Sequence, residues 1–519
     1  MILHATRVLA VSVLSAWSWA GPGGVTFSVS IDPSARSDPA TGRLIVMLVG
    51  EGSRIPASKE PLAGPFWEDP QPMFGIDVAG LSPGVAAVVD DAATSFPCVV
   101  SALPPGRYRA QARLDTSRTN SDWKREAGNL YSGVVTFEVT GADRAVSIVL
   151  DKSTKEHATR RRSGVELFSI RSESLSSFYG REVNLRAAVA YPLEYAPGRA
   201  YAAIYSIPGY GGDHGEGFAR DRSAVVPGSA EETVARNTFM VYLDPESPNG
   251  HTLFADSANN GPWGSALVGE FIPALEERYK TAPTAAGRLV RGHSSGGWSA
   301  LWLALTYPDT FGSAWSGAPD PVDFRRFQVV DLYGDDNMYL APGNDGGAGG
   351  EHPSFIVNGR TLMTIRQENL MEEVIGPGNT SAQQWDSWFA VFGPRGADGK
   401  PAALFDPVTG AIDRAVAEEY RRYDIGHLVR SDPARYVPIL RSNVRLVVGD
   451  RDNFSLYKAV ELLAGDVKAL SANLEGAAGP GYIVIEPGFD HGSVSNSPAM
   501  RRMPAEIVEH LKKSDLIQR

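Results

Sequence analysis

Short runs of alternating apolar and polar residues fill the early part of the chain. Thr26–Ile31, Leu44–Val49, Arg107–Leu114, Val134–Val139 and Ala145–Leu150 carry this pattern, and turns rich in Gly, Pro and Asp, such as Leu103-Pro104-Pro105-Gly106, separate them. Alternation with period two is the mark of a half-buried strand, and no helical periodicity of useful length intervenes. Residues 21–150 are therefore expected to form an all-β sandwich, immunoglobulin-like in kind. Residues 151–163 are polar and charged and read as a linker.

The pattern changes over residues 164–519. Apolar runs at Leu185–Ala190, Ala202–Ile207, Phe239–Leu243, Leu289–Val290, Ala314–Ser316, Val444–Val448 and Tyr482–Ile485 alternate with helical stretches. Such alternation predicts an α/β fold with a mostly parallel sheet covered on both faces. The amphipathic run Ala499–Lys513 supplies a closing helix. The alternation lapses at about 320–441, which marks an insertion holding Trp385, Trp388, Phe389 and Phe392. Two readings of this insertion stand. It is a lid whose Trp385 and Trp388 form part of a substrate pocket, or it is a satellite core held together by its own aromatics.

Composition adds limits. A chain of 519 residues, 43% hydrophobic, can bury more than one core, so two domains are expected. Arg7, the apolar run Val8–Leu14 and Ser18-Trp19-Ala20 have the layout of a signal peptide over residues 1–20, cut before Gly21. The run falls short of the ~20 residues that span a bilayer, and no later stretch is long and apolar enough. The single cysteine, Cys98, allows no internal disulfide. Exported eukaryotic enzymes of this size carry several, so a secreted or periplasmic bacterial protein is expected. The net charge of −11, with both signs mixed along the chain, argues against nucleic-acid binding. No Cys or His spacing suits zinc, and neither Asp335-Asp336-Asn337 nor Asn344-Asp345 matches a calcium loop, so neither metal nor cofactor is expected.

The candidate chemistry sits at Gly292-His293-Ser294-Ser295-Gly296, a G-x-S-x-G between an apolar run and the helix-like Trp298–Leu305. Strand, sharp turn and helix in that order form a nucleophile elbow, with the glycines leaving room for a strained serine. Ser294 alone has glycine at both flanking offsets. A serine hydroxyl needs a base, and the base needs an orienting acid. His491 follows the strand-like Ile483–Ile485 in a glycine-bounded loop, which makes it the expected base. The acid should end a strand between the two. Asp452, just past Val444–Gly449, is the choice, with Asp450 as the alternative. The oxyanion requires two backbone N–H groups. Ser295 offers one, and Tyr210 or Gly211 in the glycine-rich loop after Ala202–Ile207 offers the other. His293 is read as a packing residue.

From about Val165 to the C-terminus the chain resembles the putative esterase family that includes esterase D, enterochelin esterases, feruloyl esterases and the mycolyltransferases. The resemblance rests on the elbow together with Phe271–Tyr279 before it, and Tyr307–Ala314 and Ser316-Gly317-Ala318 after it. It implies an α/β-hydrolase fold with Ser294 as nucleophile, His491 as base and Asp452 as acid. The chain departs from the family at Pro208, where many relatives have His, and in the long insertion before the acid strand. What the resemblance implies is a serine carboxylic-ester hydrolase that needs no cofactor. Its substrates would be small-molecule or polysaccharide esters, with hydroxycinnamoyl or acetyl groups on carbohydrate, or siderophore esters. An acyltransferase with the same triad is the nearest rival. A carbohydrate- or partner-binding protein without catalysis is the rival from another class.

Overall fold

A computed structural model describes residues 24–117, 121–156, 162–343, 348–472 and 479–518. The signal-peptide reading of residues 1–20 lies outside them, as does part of the linker.

The early alternating runs form two sheets. Val25–Ile31 lies between Ala86–Val89 and Arg144–Leu150 in a three-stranded sheet, and the remaining early strands make a seven-stranded one. All pairings are antiparallel except that of Val25–Ile31 with Arg144–Leu150. Phe27, Val29, Val146 and Ile148 of the first sheet share one core with Leu44, Val46, Ala112 and Leu114 of the second.

Ala40–Gly50 also shows something that alternation alone does not predict. Leu44 through Val49 are all buried, because the sheet is covered on both faces. Leu44, Val46 and Leu48 enter the β core, while Ile45 and Met47 meet Met371, Val374 and Ile375 from a later helix and Met363 from the strand before it.

The second part is built on one eight-stranded sheet. Its strands are β1 (Val165–Arg171), β2 (Asn184–Ala190), β3 (Ala202–Ile207), β4 (Thr238–Leu243), β5 (Arg288–His293), β6 (Ser313–Gly317), β7 (Val444–Gly449) and β8 (Tyr482–Glu486). The spatial order is β1-β2-β4-β3-β5-β6-β7-β8. The pairings of β2 with β1 and β4 are antiparallel and the rest are parallel. Strands β4, β6 and β7 are buried along their whole length, which explains their mainly apolar composition, with Ser313, Ser316 and Arg445 buried among the apolar residues. Helix α1 (Ser295–Thr306) packs Trp298, Leu301 and Leu305 into one face of the sheet. The C-terminal helix Met503–Lys513 packs Ile507 and Leu511 on the other, against Ile204, Leu289 and Trp315.

The chain between β6 and β7 carries helices α2 (Ile365–Ile375) and α3 (Gln384–Phe392). Their aromatics do not make a satellite core. Trp385, Trp388, Phe389 and Phe392 belong to the same core as α1, and Phe392 meets Trp298 at 5.3 Å between ring centroids. Helix α2 faces the other way, onto the seven-stranded sheet. There the buried Arg43 donates through Nε to the Val374 carbonyl at 2.9 Å, satisfying a C-terminal helix carbonyl with a cation at the favourable end of the dipole. Gly75 admits this approach: a Cβ there would lie 2.3 Å from the Val374 oxygen.

Candidate active site

Ser294 stands between β5 and α1 with φ 57° and ψ −127°, a region that L residues rarely occupy. Hydrogen bonds hold the turn: the Ser294 N–H donates to the Gly317 carbonyl at 2.9 Å, and the Trp298 N–H to the Ser294 carbonyl at 3.0 Å. The glycines are sterically required. A Cβ on Gly292 would lie 2.0 Å from the Gly296 oxygen, and one on Gly296 would lie 2.1 Å from the Ile207 oxygen. A sequence without glycine at these two places could not make the turn, which presents Ser294 at the carboxyl end of the sheet.

His491 arrives from the loop after β8, and Asp452 from the loop after β7. The His491 Nδ1 lies 2.7 Å from the Asp452 Oδ2. The other Asp452 oxygen accepts the N–H groups of Phe454 at 2.9 Å and Leu456 at 3.2 Å, so the buried carboxylate has a fixed orientation. The Asn453 side chain accepts the His491 N–H at 3.2 Å and pins the two loops together. Asp450 is exposed and accepts from the Gly488 N–H instead, at 2.6 Å. Burial acts to lower the His491 pKa. The charge and hydrogen bond of Asp452, helped by Asp320 and Asp490, outweigh it and hold the imidazole above its ordinary value of 6.5.

Ser294, His491, Gly209 and Tyr210 line one cavity of about 290 Å³. Gly209 lies so close to the turn that a Cβ would come within 3.2 Å of the Ser294 Cβ. The Ser295 N–H opens helix α1, where no intrahelical acceptor exists for it. Gly211 lies outside this cavity, in a neighbouring cleft that Tyr210 also lines. His293 packs its ring 4.9 Å from that of His491, and burial first, then the charge of His491, lowers its pKa to about 4. A ring so placed is neutral at pH 7 and fills space beside the base.

The two tryptophans separate. Trp388 lines the cavity, whereas Trp385 stands behind it, 5.0 Å away between centroids, with its indole N–H donating to Glu368 at 3.0 Å. The cause is helical geometry, since residues three apart on α3 share a face but reach different depths. Trp385 thus backs the pocket wall without being part of its lining.

Sequence reasoning missed three features. Asp320, just beyond β6, is buried in the cavity and accepts the Ser295 hydroxyl at 2.8 Å and the Trp388 indole N–H at 2.9 Å. Burial raises its pKa to about 6 against those hydrogen bonds. An acid two residues past Ser316-Gly317-Ala318 was a visible signal, because sheet sites form at strand ends. Phe454 sets its ring edge-on to His491 at 4.9 Å. Trp67 reaches the cavity from the β-sheet part of the chain, meeting Phe454 at 5.4 Å, and no local signal foretells that contact.

A family model described as putative esterase matches residues 179–391, which takes in Ser294, Tyr210, Asp320 and Trp388 and stops before Asp452 and His491. Over this stretch the chain is similar to the putative esterase family. Solved structures similar to the chain include an S-formylglutathione hydrolase from Agrobacterium tumefaciens, with 17% identity and a TM-score of 0.37 over 67% of this chain and 96% of that one. A fluorophosphonate-binding serine hydrolase from Staphylococcus aureus shows 13% identity and a TM-score of 0.35 over 67% and 97%. A ferulic acid esterase from Anaeromyces mucronatus, solved with ferulic acid, shows 12% and 0.30 over 66% and 91%. No curated protein matches the chain. Likenesses this distant leave the chemistry of the esterase segment to be read from its own side chains. Among the described residues no helix is long and apolar enough to cross a membrane, and no cluster of His, Cys, Asp or Glu could hold a metal ion.

Proposed function

We propose that the chain is an exported serine carboxylic-ester hydrolase working through an acyl-enzyme on Ser294. The observation that carries this is the strained Ser294 sharing a cavity with a histidine whose far nitrogen is held by a buried, doubly anchored Asp452. With Nδ1–H committed to Asp452, the other imidazole nitrogen is left as the acceptor that a base requires. In the proposed cycle His491 takes the Ser294 proton as the serine oxygen bonds to the ester carbon. The developing oxyanion is met by the N–H groups of Ser295 and Tyr210, each worth ~3–4 kcal/mol in such a role. Collapse expels the alcohol with the proton from His491, and water then repeats the sequence to release the acid.

The cavity wall formed by Trp67, Trp388, Phe454 and Leu456 suits an apolar acyl group. Hydroxycinnamoyl or acetyl esters fit this description. The leader at residues 1–20 is read as the export signal, and residues 21–150 as an immunoglobulin-like module ahead of the hydrolase. The test is hydrolysis of short-chain and feruloyl aryl esters by the chain from Gly21 onward. Activity should vanish in Ser294→Ala, and its survival would name another nucleophile.

A further inference from the structure

The cavity that holds Ser294 carries charge that the acyl-enzyme chemistry leaves unused. Asp320 and Glu368 both line it, and no Lys or Arg does. One turn along α2 from Glu368 lies Glu372, and Asp386 follows on α3; all four acids are buried. Among the described residues none of the four is paired with a lysine or arginine. Two are satisfied from within. Glu372 accepts the N–H groups of Trp385 at 3.0 Å and Asp386 at 3.1 Å, and Asp386 accepts the Ser381 N–H at 2.7 Å and hydroxyl at 2.6 Å. The two at the cavity are only half used. Ser354 and Trp385 both donate to Oε2 of Glu368, while Ser295 and Trp388 both donate to Oδ2 of Asp320. Oε1 of Glu368 and Oδ1 of Asp320 receive no hydrogen bond from the described residues. Burial raises the pKa of both, that of Asp320 to about 6, as it must for carboxylates kept from water without a cation.

Gln328 supplies an independent observation. It lines the same cavity, is 2% exposed, and its Oε1 has no hydrogen-bond partner. A buried amide oxygen left bare costs ~1–3 kcal/mol. Its backbone is left-handed, with φ 57°, a strain that collects at ligand-binding positions. Trp67, Trp388 and Phe454 add aromatic surface to the lining. Among the described residues no cluster of His, Cys, Asp or Glu could hold a metal ion, so the missing positive charge is not one that a metal supplies.

We propose that this cavity selects an ester whose acyl group is an apolar stem ending in a primary ammonium. The proposal rests on the acyl-enzyme reading of Ser294 and narrows its apolar acyl group to one with a charged end. An ammonium brings three N–H donors and one positive charge. The cavity offers bare acceptors on Glu368, Asp320 and Gln328, two of them on carboxylates. Aromatic faces attract such a cation, and the stem of a long amine lies well against apolar walls such as Leu456. A neutral hydroxyl supplies a single donor and leaves the carboxylates without a counter-charge, and an anionic end would be repelled by them.

The test compares methyl esters that differ only at the end of the stem: 4-aminobutanoate against pentanoate, and 6-aminohexanoate against heptanoate, followed by pH-stat at pH 7. In the parent, kcat/KM for the amino ester should exceed that for its isostere by about tenfold at one stem length or both, the effect of one hydrogen bond between charged groups. Glu368→Gln and Asp320→Asn each keep an oxygen for the two donors they serve, and in one or both the ratio should fall about tenfold. A parent ratio of about one or less at both lengths overturns the proposal, as does a ratio unchanged within about twofold in both variants. Each ratio is taken within one protein, so a general loss of fold lowers both rates together and does not imitate the effect. Methyl 6-hydroxyhexanoate hydrolysed as well as the amino ester would also overturn it, since charge would then not be read. If the parent hydrolyses none of these esters, calorimetry on Ser294→Ala separates the two claims. Binding of methyl 6-aminohexanoate in preference to methyl heptanoate, lost when Glu368→Gln is added, upholds the ammonium site while the acyl-enzyme reading falls. Absence of that preference refutes the site as well.

Discussion

Replacing Asp452 by Asn should stop turnover while leaving the fold intact, and the structure says why. One carboxylate oxygen accepts two backbone N–H groups, from Phe454 at 2.9 Å and Leu456 at 3.2 Å. In the asparagine variant that place must keep the amide oxygen, because the NH2 group would face two donors. The NH2 group is thereby turned to His491, which now has to accept at Nδ1 and carry its proton on the other nitrogen. That tautomer cannot take a proton from Ser294. The same change in a serine hydrolase triad lowers kcat by ~10⁴, and at 1.36 kcal/mol per decade this is about 5 kcal/mol of transition-state stabilisation. The assay is kcat on 4-nitrophenyl butanoate, with thermal melting alongside. A melting temperature near that of the parent with kcat down at least about a thousandfold is expected. Retention of more than about a tenth of the activity would refute the reasoning, above all if Asp450→Asn were the variant that collapsed.

Other expectations concern pH, packing and docking. Since His491 must be neutral to act and its pKa is held above 6.5, kcat/KM should fall as pH drops through a midpoint above that value; a midpoint at 6 or below contradicts the Asp452 contribution. Asp320 is raised to about 6 from 3.8, so it opposes folding once ionised, and the stability it leaves intact at low pH is lost as pH rises through about 6. Asp320→Asn keeps both acceptor bonds and should gain in melting temperature relative to the parent between pH 4 and pH 7; a constant difference would show that this group does not titrate there. In Gly296→Ala the added carbon would lie 2.1 Å from the Ile207 oxygen and 2.5 Å from the Pro208 oxygen, so a drop of about 5 °C or more in melting temperature and loss of esterase activity are expected, and a normal melt contradicts the elbow geometry. Arg43→Met strips the donor from the Val374 carbonyl, at a cost of ~1–3 kcal/mol seen in denaturant unfolding; no change would mean that the β sheets and α2 are not docked through this contact.

The sheet was readable where strands are buried on both faces. Phe239–Leu243 is apolar throughout and announces itself, and Val444–Val448 does so with Arg445 as its one polar residue. Strand β1 did not, because it is an edge strand with no fully buried residue, and its half-buried Glu166 and exposed Leu167 break the alternation of polar and apolar residue types. The elbow was readable for a local reason, since its glycines are demanded by atoms within a few residues of Ser294 or in the adjacent strand. Asp452 against Asp450 stayed open because the choice depends on where the β8 loop brings His491, which is a long-range matter. Trp385 and Trp388 looked alike in sequence and were parted by a difference in depth on α3. Trp67 lies more than two hundred residues from Ser294 and reaches the cavity only because the early β sheets pack beside it.

The central claim is a covalent intermediate on Ser294, and one measurement addresses it most directly. The chain from Gly21 onward is treated with a fluorophosphonate, digested, and the modified residue located by tandem mass spectrometry. The account predicts one adduct, on Ser294 and not on neighbouring Ser295, formed in parallel with loss of esterase activity and much slowed in His491→Ala. An adduct on another serine, or full modification of Ser294 with hydrolysis undiminished, would contradict it.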